Sequence, residues 1–508
     1  MLAHQIPSAS SLDALLATAI RGLHIGGAWH AAPADSTPAD GASADGTMAG
    51  RNIAVVDPAT ERIIGEVPDA TLADAMAAID AAAAAAPLWR ATPPRRRSEI
   101  LRRCFELMTE RAEALAQLIS LENGKSLSDA RGEVAYAAEF FRWNAEEAVR
   151  IRGELGVAPS GQNRILVDYQ PIGIAVLITP WNFPAAMATR KIAPALAAGC
   201  TCILKPANET PLTAYALAAL YEEAGVPPGV VNVITTTAPG PVVKAMLHDP
   251  RVRKLSFTGS TRIGRELLAV AAETVLSCSM ELGGNAPFIV CDDADLPAAL
   301  DGAMIAKMRN AGEACTAANR FYLQRGIHDA FAEGLVSRMA ALKVGPAAAP
   351  DTACGPMITA AAVAKIHRLV TDAVARGAKV LLGGHPLDGP GYFYAPTVLA
   401  DVPADALLTG EEIFGPVAPL IRFDDLDNVV AEANRTEYGL VGYIYTADLK
   451  RGFHLADRLD AGMIALNRGL VSDPAAPFGG VKQSGLGREG GAHGLREFME
   501  AKYIATSF

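Results

Sequence analysis

Residues 307–320, KMRNAGEACTAANR, set one cysteine, Cys315, among small residues, with Arg309 six positions before it. An ionised thiol is the most nucleophilic common side chain, and small neighbours let a carbonyl carbon approach its sulfur. Covalent catalysis at Cys315 is therefore the first expectation. Upstream, the run Met280-Glu281-Leu282-Gly283-Gly284-Asn285 supplies a candidate base in Glu281. In that apolar setting a carboxylate is either desolvated, with a raised pKa suited to proton transfer, or exposed as a loop residue. None of the nine histidines stands in a motif beside Cys315, so a Cys–His hydrolase has little support.

Two further motifs carry chemistry. In Thr179-Pro180-Trp181-Asn182-Phe183-Pro184 the prolines enforce a rigid, non-helical turn, from which the Asn182 amide could hold an oxyanion or cap the helix that follows. Phe257-Thr258-Gly259-Ser260-Thr261-Arg262-Ile263-Gly264 reads as the end of a strand opening into a helix, whose free N–H groups attract a pyrophosphate.

These residues need a scaffold of strands and crossovers. Apolar runs at 174–178, 201–204, 230–234 and 254–257 alternate with helix-length segments, which implies a parallel α/β sheet with a nucleotide site at the strand C-termini. Thr210-Pro211 reads as an N-cap with proline at the first helical position, and Gly225 as the stop of that helix. The Ala- and Arg-rich tract 71–152 reads as several long helices. A second α/β stretch runs from about 287 to 480, and residues 497–508 read as a terminal strand suited to pairing with another subunit. Short strands are expected at 22–29 and 52–57. The polar tract 31–50 between them is expected as an unordered surface insertion.

A chain of 508 residues exceeds one ordinary core, so at least two domains are expected. Net charge −10 and the lack of a basic stripe argue against nucleic acid as a partner. No uninterrupted apolar run approaches a membrane span, and no Cys-x-x-Cys occurs among the seven cysteines. Reduced thiols and a cytoplasmic location, with no metal, no membrane and no nucleic acid, are the expectation.

Taken in order, Pro-Trp-Asn-Phe-Pro, Phe-Thr-Gly-Ser-Thr-x-x-Gly, Glu-Leu-Gly-Gly, the Cys315 segment, Glu411-Glu412-Ile413-Phe414-Gly415-Pro416 and Pro477-Phe478-Gly479-Gly480 resemble the aldehyde dehydrogenase superfamily. The resemblance covers nearly all of the chain beyond the first fifty residues. It implies an α/β fold, with a Rossmann-type cofactor domain at 21–152 and 172–283, and an α/β catalytic domain at 284–483. It also implies a small β oligomerisation arm at 153–171 and 484–508, behind a flexible N-terminus at 1–20. The segment 150–169 is read as a helical arm, and with the terminal strand it points to a homodimer or homotetramer.

The resemblance assigns Cys315 as nucleophile, Asn182 and the Cys315 N–H as oxyanion donors, and Glu281 as the base that hydrolyses a thioester to a carboxylic acid. Glu412 would hold the nicotinamide ribose, Phe414 would pack beside the nicotinamide, and Lys205 would bond the adenine ribose. Trp181, Gly259 and Ser260 would line the pyrophosphate, with Gly264 in the same motif. The cofactor is NAD+ or NADP+. Asn208 stands where many NAD-dependent members carry Glu, and a neutral amide accepts a 2′-phosphate that a carboxylate repels, which tips the expectation toward NADP+. Neighbouring Glu209 could restore NAD+.

Within the family the chain is most similar to succinate-semialdehyde dehydrogenases. There, arginines matching Arg190 and Arg309 and a serine matching Ser472 grip the far carboxylate of the substrate, and Phe478 lies at the same pocket. Glutarate semialdehyde is the alternative substrate. Asp473 should then point away from the site. Some members with this specificity carry a second cysteine two residues after the nucleophile; Ala317 stands there, so no disulfide switch is expected.

Overall fold

The computed structural model describes residues 11–31, 52–349 and 351–507. The insertion expected at 31–50 lies outside them except for residue 31. Two open sheets carry the fold. The first runs Gly485–Leu486, Ser277–Glu281, Val252–Thr258, Ile174–Ile178, Thr201–Lys205, Val231–Val233, Leu23–Ile25, Ala28–His30 from edge to edge. Its five middle strands are mutually parallel. Ile174–Ile178 and Thr201–Lys205 are buried at every residue, as strands covered by helices on both faces must be.

The second sheet runs Lys379–Leu382, Thr397–Ala400, Val417–Phe423, Ala318–Gln324, Ala286–Val290, Val441–Tyr445, Met463–Leu466. It is parallel apart from its first edge strand. Each sheet has its own apolar core.

Several expectations need correction. The segment expected as a helical arm at 150–169 is instead two strands, Glu154–Val157 and Arg164–Pro171, which pair antiparallel with each other and with Met499–Thr506. β-branched residues and the turn-forming Ser160-Gly161 favour a hairpin there. Gly485–Leu486 belongs to the first sheet, where it pairs with Met280 and Glu281, and not to the arm. Residues 22–29, expected as one strand, turn at Gly26-Gly27 into a hairpin on the far edge of the first sheet. Within the N-terminus expected to be flexible, Leu12–Ala19 is a helix, capped by the Ser11 side chain and anchored by buried Leu15 and Ala19.

The tract 71–152 forms Leu72–Ala91, Pro94–Glu110, Ala112–Asn123 and Leu127–Ala148. Leu72–Ala91 is long and apolar enough by composition to cross a membrane, yet it is alanine-rich and sets Ala75, Ala78, Ile79, Ala82 and Trp89 into the core.

Two buried carboxylates in this tract fix the helices that bear the site. Glu122 accepts from the N–H groups of Leu212 and Thr213 at 2.8 and 2.9 Å, capping Pro211–Glu223 in place of Thr210, whose side chain caps nothing. Glu133 accepts from Ala185 and Ala186, capping Pro184–Ala198. Burial pushes the Glu122 carboxyl up to about 8. Glu122→Ala removes both bonds and leaves the two donors buried, which costs about 1–3 kcal/mol. The expected readout is a lower thermal unfolding midpoint, with the midpoint of an exposed control, Glu99→Ala, unchanged.

Candidate functional site

The candidate residues gather where strand C-termini of the first sheet face the second. Ile174–Ile178 ends into the Trp181-Asn182 turn, Val252–Thr258 into Gly259-Ser260, and Ser277–Glu281 on Glu281 itself. Cys315 comes from the other side, between helix Leu296–Met308 and strand Ala318–Gln324. The chain reaches it through Asn310, Ala311 and Gly312, all at positive φ (53°, 51° and 81°). Two non-glycine residues in that region are strained, and such strain persists only where surrounding contacts impose it.

Those contacts are visible. The Asn310 side chain donates to the carbonyls of Asn182 at 2.9 Å and Glu313 at 3.0 Å, and its N–H donates to Asp129 at 3.2 Å. Below the loop, a Cβ on Gly284 would lie 2.5 Å from the Cys315 carbonyl oxygen, so the second glycine of Glu-Leu-Gly-Gly is required by close approach.

Asn182 does not cap the helix after it. Its amide donates to the Glu313 carbonyl at 3.0 Å, and Lys125 Nζ, itself paired with Glu133, holds the Asn182 carbonyl at 2.6 Å. One amide N–H of Asn182 remains uncommitted beside the nucleophile loop, as an oxyanion donor must. A residual structural role of this kind for Asn310, Lys125 and Glu133 left no local trace in the sequence. Their partners lie up to 181 positions away.

Cys315 is part-exposed, whereas Cys104, Cys200, Cys202, Cys291 and Cys354 are buried. Burial pushes the Cys315 thiol up to about 12, Arg190 and Arg309 pull it down, and Glu412 and Glu281 reinforce the rise. Glu281 is only 3 % exposed and neither carboxyl oxygen has a partner among the described residues. Burial, then the neighbouring Glu489, holds it well above the usual carboxylate range. Burial also opposes ionisation of Glu489, but Lys191 and Arg190 outweigh it and hold Glu489 below that range. The two carboxyls are thus pushed apart, Glu281 toward its protonated form and Glu489 toward its charged form.

The arginines differ in commitment. Arg190 pairs with Glu489 at 2.5 Å and lies over the Phe478 ring at 4.2 Å. Arg309 lies over the Phe183 ring at 5.1 Å, with no carboxylate partner among the described residues. Ser472 is half-buried, and its hydroxyl forms no hydrogen bond among the described residues. The Asp473 carboxylate turns back to accept from the Ala475 N–H at 2.9 Å.

A second group of residues fits a dinucleotide. Lys205 is 8 % exposed with no hydrogen-bond or ionic partner among the described residues, and exposed Glu209 is the charge that acts on it. Asn208 donates to the Thr236 carbonyl, while its own oxygen and the Thr258 hydroxyl are buried and unpaired among the described residues. A Cβ at Gly259 would lie 2.5 Å from the Phe257 ring, leaving bare backbone before helix Thr261–Ala272, in whose first turn Gly264 sits and which Ser260 caps. Trp181 and Phe414 meet edge to face at 5.5 Å, and Glu412 accepts from the Gly284 N–H at 3.2 Å. Burial pushes the Glu412 carboxyl up to about 7. Buried unpaired polar atoms, an unpaired ammonium and a helix N-terminus suit the ribose hydroxyls and phosphates of a nicotinamide dinucleotide.

Comparison with known proteins bears on the same residues. Residues 46–504 match the aldehyde dehydrogenase family. A succinate-semialdehyde dehydrogenase of Paenarthrobacter nicotinovorans is 52% identical over 445 residues, 88% of this chain and 99% of the relative. A glutarate-semialdehyde dehydrogenase of Pseudomonas aeruginosa is 50% identical over 455 residues, 90% and 94% of the two chains. The crystal structure of an E. coli NADP-dependent enzyme superposes with TM-score 0.91 at 47% identity, covering 96% of this chain and 98% of that one. With a part-exposed cysteine, an unpaired buried glutamate and a dinucleotide cradle meeting between two α/β sheets, the chain belongs to the aldehyde dehydrogenase family and is an NAD(P)-dependent aldehyde dehydrogenase.

Proposed function

We propose that the chain oxidises an aldehyde whose far end is a carboxylate, succinate semialdehyde first, to the dicarboxylic acid. The observation that carries this reading is Arg309, a guanidinium near enough to Cys315 to act on its thiol and with no ion pair of its own among the described residues. An unpaired arginine fixed on an aromatic face is prepared for a bidentate carboxylate. The names of the two relatives agree on the class and differ by one methylene in chain length.

Cys315 Sγ bonds to the carbonyl carbon, while the free Asn182 N–H and the Cys315 N–H receive the oxyanion. The bound dinucleotide supplies the acceptor for hydride. Glu281, once ionised, takes a proton from the water that breaks the resulting thioester. Arg309→Ala is expected to raise KM for succinate semialdehyde about 10- to 100-fold, leaving an uncharged aldehyde of equal length unaffected. Equal effects on both would sink the carboxylate reading.

For the cofactor, Asn208 supports NADP+, since no carboxylate occupies its position and Lys205 lacks a counter-charge in contact. Asn208→Glu is expected to lower kcat/KM for NADP+ about 10-fold or more relative to NAD+, by repulsion of the 2′-phosphate. An unchanged ratio would contradict the assignment. The arm's exposed Leu155, Val157, Tyr503 and Ile504 suit contact with a second copy of the chain.

A further inference from the structure

Tyr136 lies on helix Leu127–Ala148 and belongs to no motif that the reaction uses. Three residues earlier on that helix, Glu133 caps the helix that bears Arg190, which ties the two helices together. Its ring meets Phe140 edge to face at 4.9 Å. Its hydroxyl is buried and its proton has no acceptor among the described residues. Arg190 acts on its oxygen by charge and as a hydrogen-bond donor, and Arg309 and Glu489 act on it by charge.

A phenol on whose oxygen two guanidinium groups act has only one useful orientation. Its oxygen can face the cations, but its proton cannot be given to them, and must go to an acceptor. Glu489 is already taken by Arg190 and Lys191. Arg190 also spends one terminal nitrogen on the Met187 sulfur at 3.3 Å, so it cannot by itself satisfy an incoming anion. A carboxylate offers about four lone-pair directions, and Arg309 covers two of them as a fork.

We infer that the Tyr136 hydroxyl donates to the far carboxylate of the substrate, completing with Arg309 the anion site and making Tyr136 a specificity-determining residue. This rests on the carboxylated-aldehyde reading. Tyr136 selects for the acid group without taking part in bond making at Cys315.

The test is Tyr136→Phe, which keeps the ring and removes one oxygen, assayed with succinate semialdehyde and with butanal, together with inhibition by succinate. The expected result is a KM for succinate semialdehyde and a Ki for succinate both raised about 10- to 30-fold, with kcat within about threefold and butanal kinetics unchanged. Unchanged KM and Ki, or equal losses with butanal, would overturn the inference. If the wild type itself shows no preference for succinate semialdehyde over butanal, and Arg309→Ala changes nothing, the carboxylate reading fails and this inference with it. If that preference stands while Tyr136→Phe behaves as wild type, the inference alone fails.

Discussion

Cys315→Ala is expected to lower kcat for aldehyde oxidation by about 10⁴-fold or more, since it removes the thiol assigned to the covalent adduct. Five of the other six cysteines are buried. Dinucleotide binding, followed by calorimetry, should be unchanged, because Lys205, Asn208 and Ser260 lie on the other sheet. A variant that keeps more than a small fraction of the wild-type rate would remove the nucleophile from Cys315. The wild-type thiol carries its own pH signature. With burial pushing it up to about 12, the thiolate fraction grows with every step of pH below that value. Alkylation of Cys315 by iodoacetamide in the absence of cofactor should therefore accelerate about tenfold per pH unit across the neutral range, with no plateau there.

Glu281→Gln is expected to separate the two halves of the reaction. An amide fills the same space but cannot take a proton, so hydride transfer proceeds once and thioester hydrolysis slows about 10²- to 10⁴-fold. The measurement is a rapid burst of reduced dinucleotide, one per active site, followed by a slow steady phase. Steady turnover without a burst would count against Glu281 as the base.

The sign of the pH effect follows from burial. Burial and Glu489 raise the Glu281 carboxyl well above its ordinary range, so it is protonated and idle below that raised value and active above it. Wild-type steady turnover should climb with pH beyond the range in which an exposed glutamate has finished titrating. The Gln variant should lack that limb. Loss of Glu489 should move the limb to lower pH, since one source of the upward push is gone.

The motifs were legible because each carries its reason locally. Gly259 precedes a helix that Ser260 caps, Glu281 ends a strand, and Cys315 stands in a loop of small residues. The alternation of buried strands and helices was readable for the same reason, since a fully covered strand such as Ile174–Ile178 must be apolar throughout. Readings failed where length or context decided. The arm at 150–169 is a hairpin because Met499–Thr506 pairs along Arg164–Pro171, a partner more than 300 positions away. Thr210 was a sound cap by type, but Glu122 reaches the same N–H groups and displaces it.

From residue types and order alone came the family and the candidate nucleophile, base and carboxylate clamp, because covalent and phosphate chemistry demand particular side chains at short spacing. Only the tertiary structure decided how charge is shared among them. Arg190 is paired with Glu489 while Arg309 has no ion pair among the described residues, Glu281 is pushed toward its protonated form, and Asn182 donates to the Glu313 carbonyl in place of capping a helix. Ionisation and hydrogen-bond commitment depend on burial and on partners brought together across hundreds of residues, and neither is a property of any local stretch of chain.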